Sequence, residues 1–312
     1  MAWTIPDLPA PRREGALRWL LPLALGLLLA GCSSTTFFYN RLDFLVPWYV
    51  DDYVELDSEQ DQALEQLLQP FLAWHRREEL PLYVALLDEA QGMLDSDGLS
   101  LAELRELTRQ MELAGDRLQT RSLDWLLPIG EQLSDEQVQD FLAELQDKQQ
   151  ELEEKYLERD LEEYREDTYD RLRDNVEDYL GRLDREQKDT LQAEIAALER
   201  SDHLWLAERQ VWIERLRQLL QRAPGWQDGV RDALATRWHS ASPEYQRMVE
   251  HNISVIQRAI VQVVNSRSER QDRHLRSKVG ALREDFLALS REGVEGPVPE
   301  HPGAARQDTA AP

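Results

Sequence analysis

Cys32 is the one cysteine of this 312-residue chain, and a thiol placed behind an apolar run is a nucleophile that can be acylated or alkylated. It can form no intramolecular disulfide, although an oxidising envelope compartment would permit one. The other pair with chemical potential is His75 and Glu79, one helical turn apart, which could offer two ligands to a metal. Zinc centres take three or four ligands. Neither a HExxH motif nor a matching histidine pair accompanies them, so the spacing predicts a buried or half-buried histidine beside an ion-paired turn. His203, His239, His251, His274 and His301 stand singly on different segments. No serine sits in a GxSxG elbow, and no P-loop or dinucleotide fingerprint is present. With 60 acidic residues, some carboxylates must lie close together, so a close pair would not identify a glycosidase. The residues assign no catalytic group, no metal ligand and no cofactor. The expectation is a protein that is not an enzyme.

The segment in front of Cys32 decides how its thiol is read. Arg12, Arg13 and Arg18 form a positive start, and residues 19–30 (WLLPLALGLLLA) form an apolar run of 12 residues. A membrane-spanning helix needs roughly 17–25 apolar residues, so this run has the length of a signal-peptide core. Leu29-Ala30-Gly31-Cys32 resembles the bacterial lipobox. That resemblance implies a signal peptide at 1–31, cleavage before Cys32, and diacylglyceryl and fatty acyl (palmitate) chains on the new N-terminus. One chain anchors only marginally at about 0.8 kcal/mol per buried methylene, whereas three hold firmly. Ser33 follows, with no Asp there to direct inner-membrane retention in the enteric pattern. The same resemblance therefore implies a lipoprotein of the outer membrane that faces the periplasm.

Residues 1–31 carry a net charge of +1, so the mature chain is one unit more acidic than the −24 of the whole. Such a charge repels nucleic acid and disfavours broad adhesion to anionic membrane surfaces. Leucine, tryptophan and tyrosine recur periodically enough to argue against disorder.

The elements behind the anchor read as helices. Residues 32–56 form a lipidated tether followed by a short amphipathic segment. In it Leu42, Leu45, Val46, Tyr49 and Tyr53 keep helical spacing around Pro47. This segment can pack on the domain or rest near the bilayer; packing is the favoured reading, because Asp43, Asp51 and Asp52 disfavour lipid headgroups. The helical domain covers 57–292. Leu64, Leu67, Leu68, Phe71 and Leu72 make an amphipathic stripe, Pro70 is a kink site, and Pro81 starts a second segment. Residues 95–98 form a turn, and Ser100 with Glu103 is a capping box. Residues 134–180 would span about 70 Å if continuous; the alternative is a break near Arg159-Asp160. Asp184 opens one long helix that runs to Ala223-Pro224-Gly225. A short helix over 226–238 follows, and Ser242-Pro243 is an N-cap with proline behind it. The pattern after it reaches Phe286 and Leu289. Residues 293–312 read as a disordered tail. Strand alternation is missing throughout, so the fold class is all-α, an elongated bundle of antiparallel amphipathic helices.

One short pattern recurs: Leu56-Asp57-Ser58-Glu59-Gln60, Leu133-Ser134-Asp135-Glu136-Gln137 and Leu183-Asp184-Arg185-Glu186-Gln187. Physically it starts a helix. The Asp or Ser oxygen accepts a first-turn N–H, Gln reaches back, and the leucine staples the turn. It resembles the Leu-Thr-x-x-Gln motif of small periplasmic helical stress chaperones, with Asp or Ser for Thr. Simple capping and a property shared with those chaperones are both open readings. Trp74-His75-Arg76-Arg77-Glu78-Glu79-Leu80-Pro81, taken with Tyr39-Asn40-Arg41-Leu42-Asp43, resembles a family of uncharacterised Gram-negative lipoproteins that carry a domain of unknown function. This resemblance runs from Cys32 to about Leu289 and implies a lipoprotein with no known activity.

Charge and tryptophan are the remaining signals. Residues 134–186 carry 20 acidic and 8 basic side chains, and residues 258–291 carry 8 basic and 4 acidic ones. Intramolecular steering between these segments is the plainer reading; recruitment of a charged partner is the sharper one. Trp205 and Trp212 lie seven residues apart on one helix face, and Trp226 and Trp238 follow. Such stripes usually fill a core, but any exposed part would form a surface for a polypeptide partner. The functional expectation is a non-enzymatic protein-interaction, chaperone-like or assembly lipoprotein. A helical spacer is one alternative and a peptidoglycan-related enzyme another. Its partners would be the membrane, through lipid on Cys32, and an envelope protein; no nucleic acid or small-molecule substrate is implied. The thiol reading has a direct test. Cys32→Ser should yield an unprocessed, non-acylated chain by mass spectrometry, and an unmodified Cys32 on a mature wild-type chain would overturn it.

Overall fold

The structure, a computed structural model, describes residues 34–96 and 98–295. The expected signal segment 1–31, the expected lipidation site Cys32 and residues 296–312 of the expected tail lie outside the described residues. Among the described residues all regular structure is helical.

Two short helices come first, α1 (Ser34–Tyr39) and α2 (Leu42–Asp51). The stretch read as a tether is thus helical, because Thr35 and Tyr39, four residues apart, both face inward and are buried. A rod follows: α3 (Ser58–Trp74), a π-helical turn (His75–Glu79) and α4 (Leu80–Leu94). Pro70 sits inside α3, and Pro81 is the second residue of α4. Pro81 has no N–H for the Arg77 carbonyl and would crowd it. The wider turn, in which the Leu80 N–H reaches the His75 carbonyl, carries the backbone past this obstacle. Next come α5 (Leu101–Gln132), α6 (Asp135–Tyr156) and α7 (Leu161–Leu180). They are followed by α8 (Arg185–Ile195), α9 (Asp202–Leu219) and α10 (Trp226–Ala235). The chain continues through α11 (Arg237–Ser240), α12 (Pro243–Asn265) and α13 (Glu269–Glu295). The last helix passes the expected boundary at residue 292.

Cross-links between helices give their directions. Gln60 bonds Gln132, Glu79 bonds Arg117 and Glu89 bonds Gln110, so the rod runs antiparallel to α5 along its length. Asp88 with Arg283 and Asp95 with Arg276 set α4 against α13 in the same sense. Gln187 with Ser266 and Glu194 with Arg258 do so for α8 and α12. Gln149 with Leu206 and Asp135 with Arg222 do so for α6 and α9. The largest core lies among α7, α8, α12 and α13, where Leu191, Val255, Ala259 and Val263 are fully buried. A second core joins α3 to α5 through Leu64, Leu68, Trp125 and Ile129.

Of the two readings open for residues 134–180, the break near Arg159-Asp160 holds, at 157–160, whereas the single long helix expected from Asp184 is corrected, since it breaks at 196–201. One buried knot accounts for both. Arg159 turns inward onto Asp202, its Nε 2.8 Å from Oδ2 and its Nη2 2.5 Å from Oδ1. Arg200 adds a third bond to Asp202 and caps the end of α6 at the Tyr156 and Leu157 carbonyls. A continuous helix at either place would pull these groups apart and leave Asp202, fully buried, without its cations. The pattern after Ser242 also breaks, at Ser266 to Ser268. The basic segment reaches residues 134–186 through packing of α13 beside α7, but its described ion pairs go elsewhere. Arg258 pairs with Glu194, Arg276 with Asp95 and Arg283 with Asp88.

The recurring pattern does more than cap. Asp57, Ser134 and Asp184 each cap a helix in a full capping box with the Gln three residues on. Gln60 and Gln137 then bond each other reciprocally, Nε2 to Oε1, at 3.0 and 2.7 Å. Gln60 also donates to the Gln132 carbonyl, and Gln137 to the Glu55 carbonyl. Gln187 finds an equivalent partner in Gln271, at 3.2 and 2.9 Å, with donations to the Ser266 and Arg182 carbonyls. In both clasps the accepting carbonyl lies two residues before the opposite cap. Each amide thereby uses both donors and both acceptor positions. Glu103 and Glu163 occupy the same place in unpaired boxes, because a carboxylate can reach back to its cap but cannot donate across. If the clasp holds α3 and α6 together, Gln60→Ala and Gln137→Ala should couple by about 1 kcal/mol in a double-mutant cycle of urea unfolding. Additivity would reduce the motif to two independent caps.

Candidate functional site

The two motifs that carry the sequence resemblance meet in space. Tyr39, at the end of α1, places its hydroxyl 2.6 Å from Nδ1 of His75 in the π turn. Burial pushes the Tyr39 phenol up, against the pull of Arg76, so it stays a neutral donor. Burial, and secondarily the charge on Arg76, pulls His75 down to about 4. The imidazole is therefore neutral and accepts from the phenol at Nδ1. Phe71, Trp74 and Tyr83 close around the ring. Arg76 lies over the Tyr39 ring, donates to Asn40 at 2.8 Å and reaches Glu292 of α13 at 3.1 Å.

One turn on, Glu79 is only 2% exposed. Arg117 of α5 grips it with two bonds, Nε to Oε1 at 2.6 Å and Nη2 to Oε2 at 3.0 Å. This fork holds the π turn to α5 and raises the Arg117 guanidinium. His75 and Glu79 therefore face different partners: a half-buried histidine with a phenol, and a carboxylate with an arginine. Among the described residues no group of three or more His, Cys, Asp or Glu side chains could hold a metal. The junction joins α1, the rod, α5 and α13 at one place, and what its geometry does is lock.

The four tryptophans are all half-buried, and three of them come together. Trp205 and Trp238 pack in one cluster with Tyr245, Met248 and Val249. Arg237, next to Trp238, lies 5.0 Å over the Trp212 ring. Trp226 belongs to a separate cluster with Leu123, Leu127 and Val230. It lies so close to Gly130 that an added Cβ would stand 3.3 Å from the indole. Val211, beside Trp212, is 65% exposed. Sequence reasoning missed three things here: the Tyr39–His75 bond, the fork from Arg117, and Gln271 as the fourth clasp residue. The first two join positions 36 and 38 residues apart and leave no local pattern. Gln271 had a signal, since Ser268-Glu269-Arg270-Gln271 repeats the Ser-x-x-Gln spacing without the leading leucine.

Residues 52–246 match a family described as a family of unknown function (DUF6279). The matched span contains Trp74 to Pro81 and starts after Asp43. No curated protein and no solved structure matches the chain.

The buried imidazole makes a pH prediction. Unfolded, His75 titrates near its ordinary 6.5, and folded near 4. Between those values the unfolded chain binds more protons. The stability present above about pH 6.5 is therefore lost as the pH falls towards 4, by roughly 2 kcal/mol at pH 5. His75→Gln keeps an acceptor for Tyr39 and removes the titration. Urea unfolding at pH 7.5 and pH 5 should show a larger loss in the wild type than in this variant, and equal losses would refute the assignment.

Proposed function

We propose, for a chain that belongs to the DUF6279 family of unknown function, that it is a non-enzymatic, chaperone-like or assembly lipoprotein. It is anchored through Cys32 in the bacterial outer membrane, faces the periplasm, and holds a polypeptide partner on the tryptophan-bearing end of its bundle. The observation that carries the reading is the gathering of Trp205, Trp212 and Trp238 around α11, half-buried, with Val211 exposed beside them. Indoles whose faces are only partly covered offer rigid apolar area at low entropic cost, the composition that dominates protein interfaces. The surrounding surface belongs to a chain of net charge −24, which keeps copies apart while leaving such a patch available. The paired Gln clasps add support, since the motif they elaborate resembles that of small periplasmic helical stress chaperones. The proposed surface centres on these three, and Trp226 packs in a separate cluster against α5.

The test is crosslinking of the native lipoprotein in intact cells, with Trp212→Ala and Val211→Asp compared with the wild type. Both positions lie where side chains are partly or largely exposed, so the melting temperature should fall by only a few degrees. Captured polypeptides should decrease several-fold in each variant. An unchanged capture pattern in folded variants would remove this surface from the function.

A further inference from the structure

We propose that Phe37 and Phe44 rest in the lipid headgroup layer and fix the orientation of the domain on its membrane. This inference rests on the reading of Cys32 as the lipid anchor. Among the described aromatic side chains only these two are exposed, Phe37 at 49% and Phe44 at 68%. Every other described Phe, Tyr and Trp is buried or half-buried. Scattered exposed aromatics would need no explanation; two confined to the twelve residues after Cys32 do.

Geometry makes the bilayer their occupant. Two residues separate Cys32 from Ser34 in register, a reach of at most about 7 Å. Three more helical residues to Phe37 add about 4.5 Å. The headgroup layer on one side of a bilayer is roughly 5–8 Å deep, so an acylated Cys32 leaves Phe37 at or beside it. The inward face of this region is already used. Thr35 and Tyr39 of α1 are buried, and Leu42, Val46 and Val50 of α2 pack against the core clusters. Phe37 and Phe44 each lie two residues along from an inward position, about 200° round the helix, and so point away from the body. Arg41 stands between them, exposed, its guanidinium 3.5 Å over the Phe37 ring and bonded to the Phe37 carbonyl at 3.2 Å. A cation stacked on an apolar ring at this depth can meet a lipid phosphate while its stem stays on the ring. Aromatic side chains favour this interface layer. The acidity of the rest of the chain keeps the other faces away from anionic lipid, so the two phenylalanines decide which end faces the membrane.

In the acylated protein the Cys32 sulfur carries lipid, so Phe44→Cys supplies the one free thiol for an environment-sensitive fluorophore. Val211→Cys on α9 is the control, exposed to a similar degree. Both proteins are reconstituted into phosphatidylethanolamine–phosphatidylglycerol vesicles after intact mass establishes acylation. At position 44 the emission should shift to the blue, and headgroup spin-labelled lipid should quench it several-fold more than at position 211. Equal quenching at both positions in an acylated sample overturns the headgroup contact and leaves the anchor standing. A mature chain with an unmodified Cys32 overturns both.

Discussion

A helix leaves the first N–H groups of its backbone without partners, and a fold made of many helices meets that deficit again at every start. At four of the starts here the deficit is met pairwise. Bringing two helix starts together places two positive dipole ends side by side, which alone would drive them apart. The reciprocal amide pair offsets this, since Gln60 and Gln137 each accept from their own cap and donate to the carbonyls ahead of the other. Gln187 and Gln271 do the same for α8 and α13. The clasped starts are 77 and 84 residues apart in sequence. Each pair therefore closes one half of the molecule, and the antiparallel helix pairs between them inherit their register.

Local chemistry wrote the caps into the sequence, so they were legible. Asp57, Ser100, Ser134, Asp184 and Ser242 all cap where the residue types require. The choice of Gln over Glu at the third position was equally visible, but its meaning was not, because the second acceptor and both donors act on a segment far along the chain. The helix breaks at 157–160 and 196–201, of which only the first was legible and then only as an alternative, have the same origin. Residues 157–160 contain neither proline nor glycine. What turns the chain there is Arg159 meeting Asp202, 43 residues later, and a helical period cannot report a partner at that distance. The tether was misread for a related reason. Six residues are too few to show periodicity, and α1 is helical because Tyr39 finds His75 and the cluster of Leu80, Val84, Phe286 and Leu289. Of the candidate site, Trp205 and Trp212 were legible as a helical stripe; that Arg237 and Trp238 join them while Trp226 packs elsewhere depended on tertiary packing.

The π turn shows how one residue type reaches through the structure. Pro81 forbids an ordinary turn, and the wider register that avoids it sets His75 and Glu79 on different bearings. His75 is then available to Tyr39, and Glu79 to Arg117. A regular helix would have placed the two nearly in line, where an imidazole and a carboxylate would satisfy each other and neither α1 nor α5 would be held. Arg76, between them, completes the arrangement by joining Asn40 to Glu292 across the same junction. The backbone irregularity thus carries three tertiary attachments within five residues.

That junction also determines how a force or a change at the anchor end would travel. Cys32 is followed almost at once by α1, and α1 is bonded through Tyr39 to the rod and packed on α13. A floppy linker would let the domain tumble beneath the lipid proposed on Cys32. A helix docked at its second and sixth residues does not, so the orientation of the bundle follows that of the first turn. The rod then conveys this orientation along its antiparallel contact with α5 to the Gln60–Gln137 clasp at its other end, and from there through α6 to α9, where Trp205 and Trp212 sit. On the proposed lipid anchor, the tryptophan-bearing end would be held at a set direction from the membrane by these hydrogen bonds and not by chain length. Under the proposed function, a fixed direction is what would let one apolar patch on an acidic protein meet its partner repeatedly.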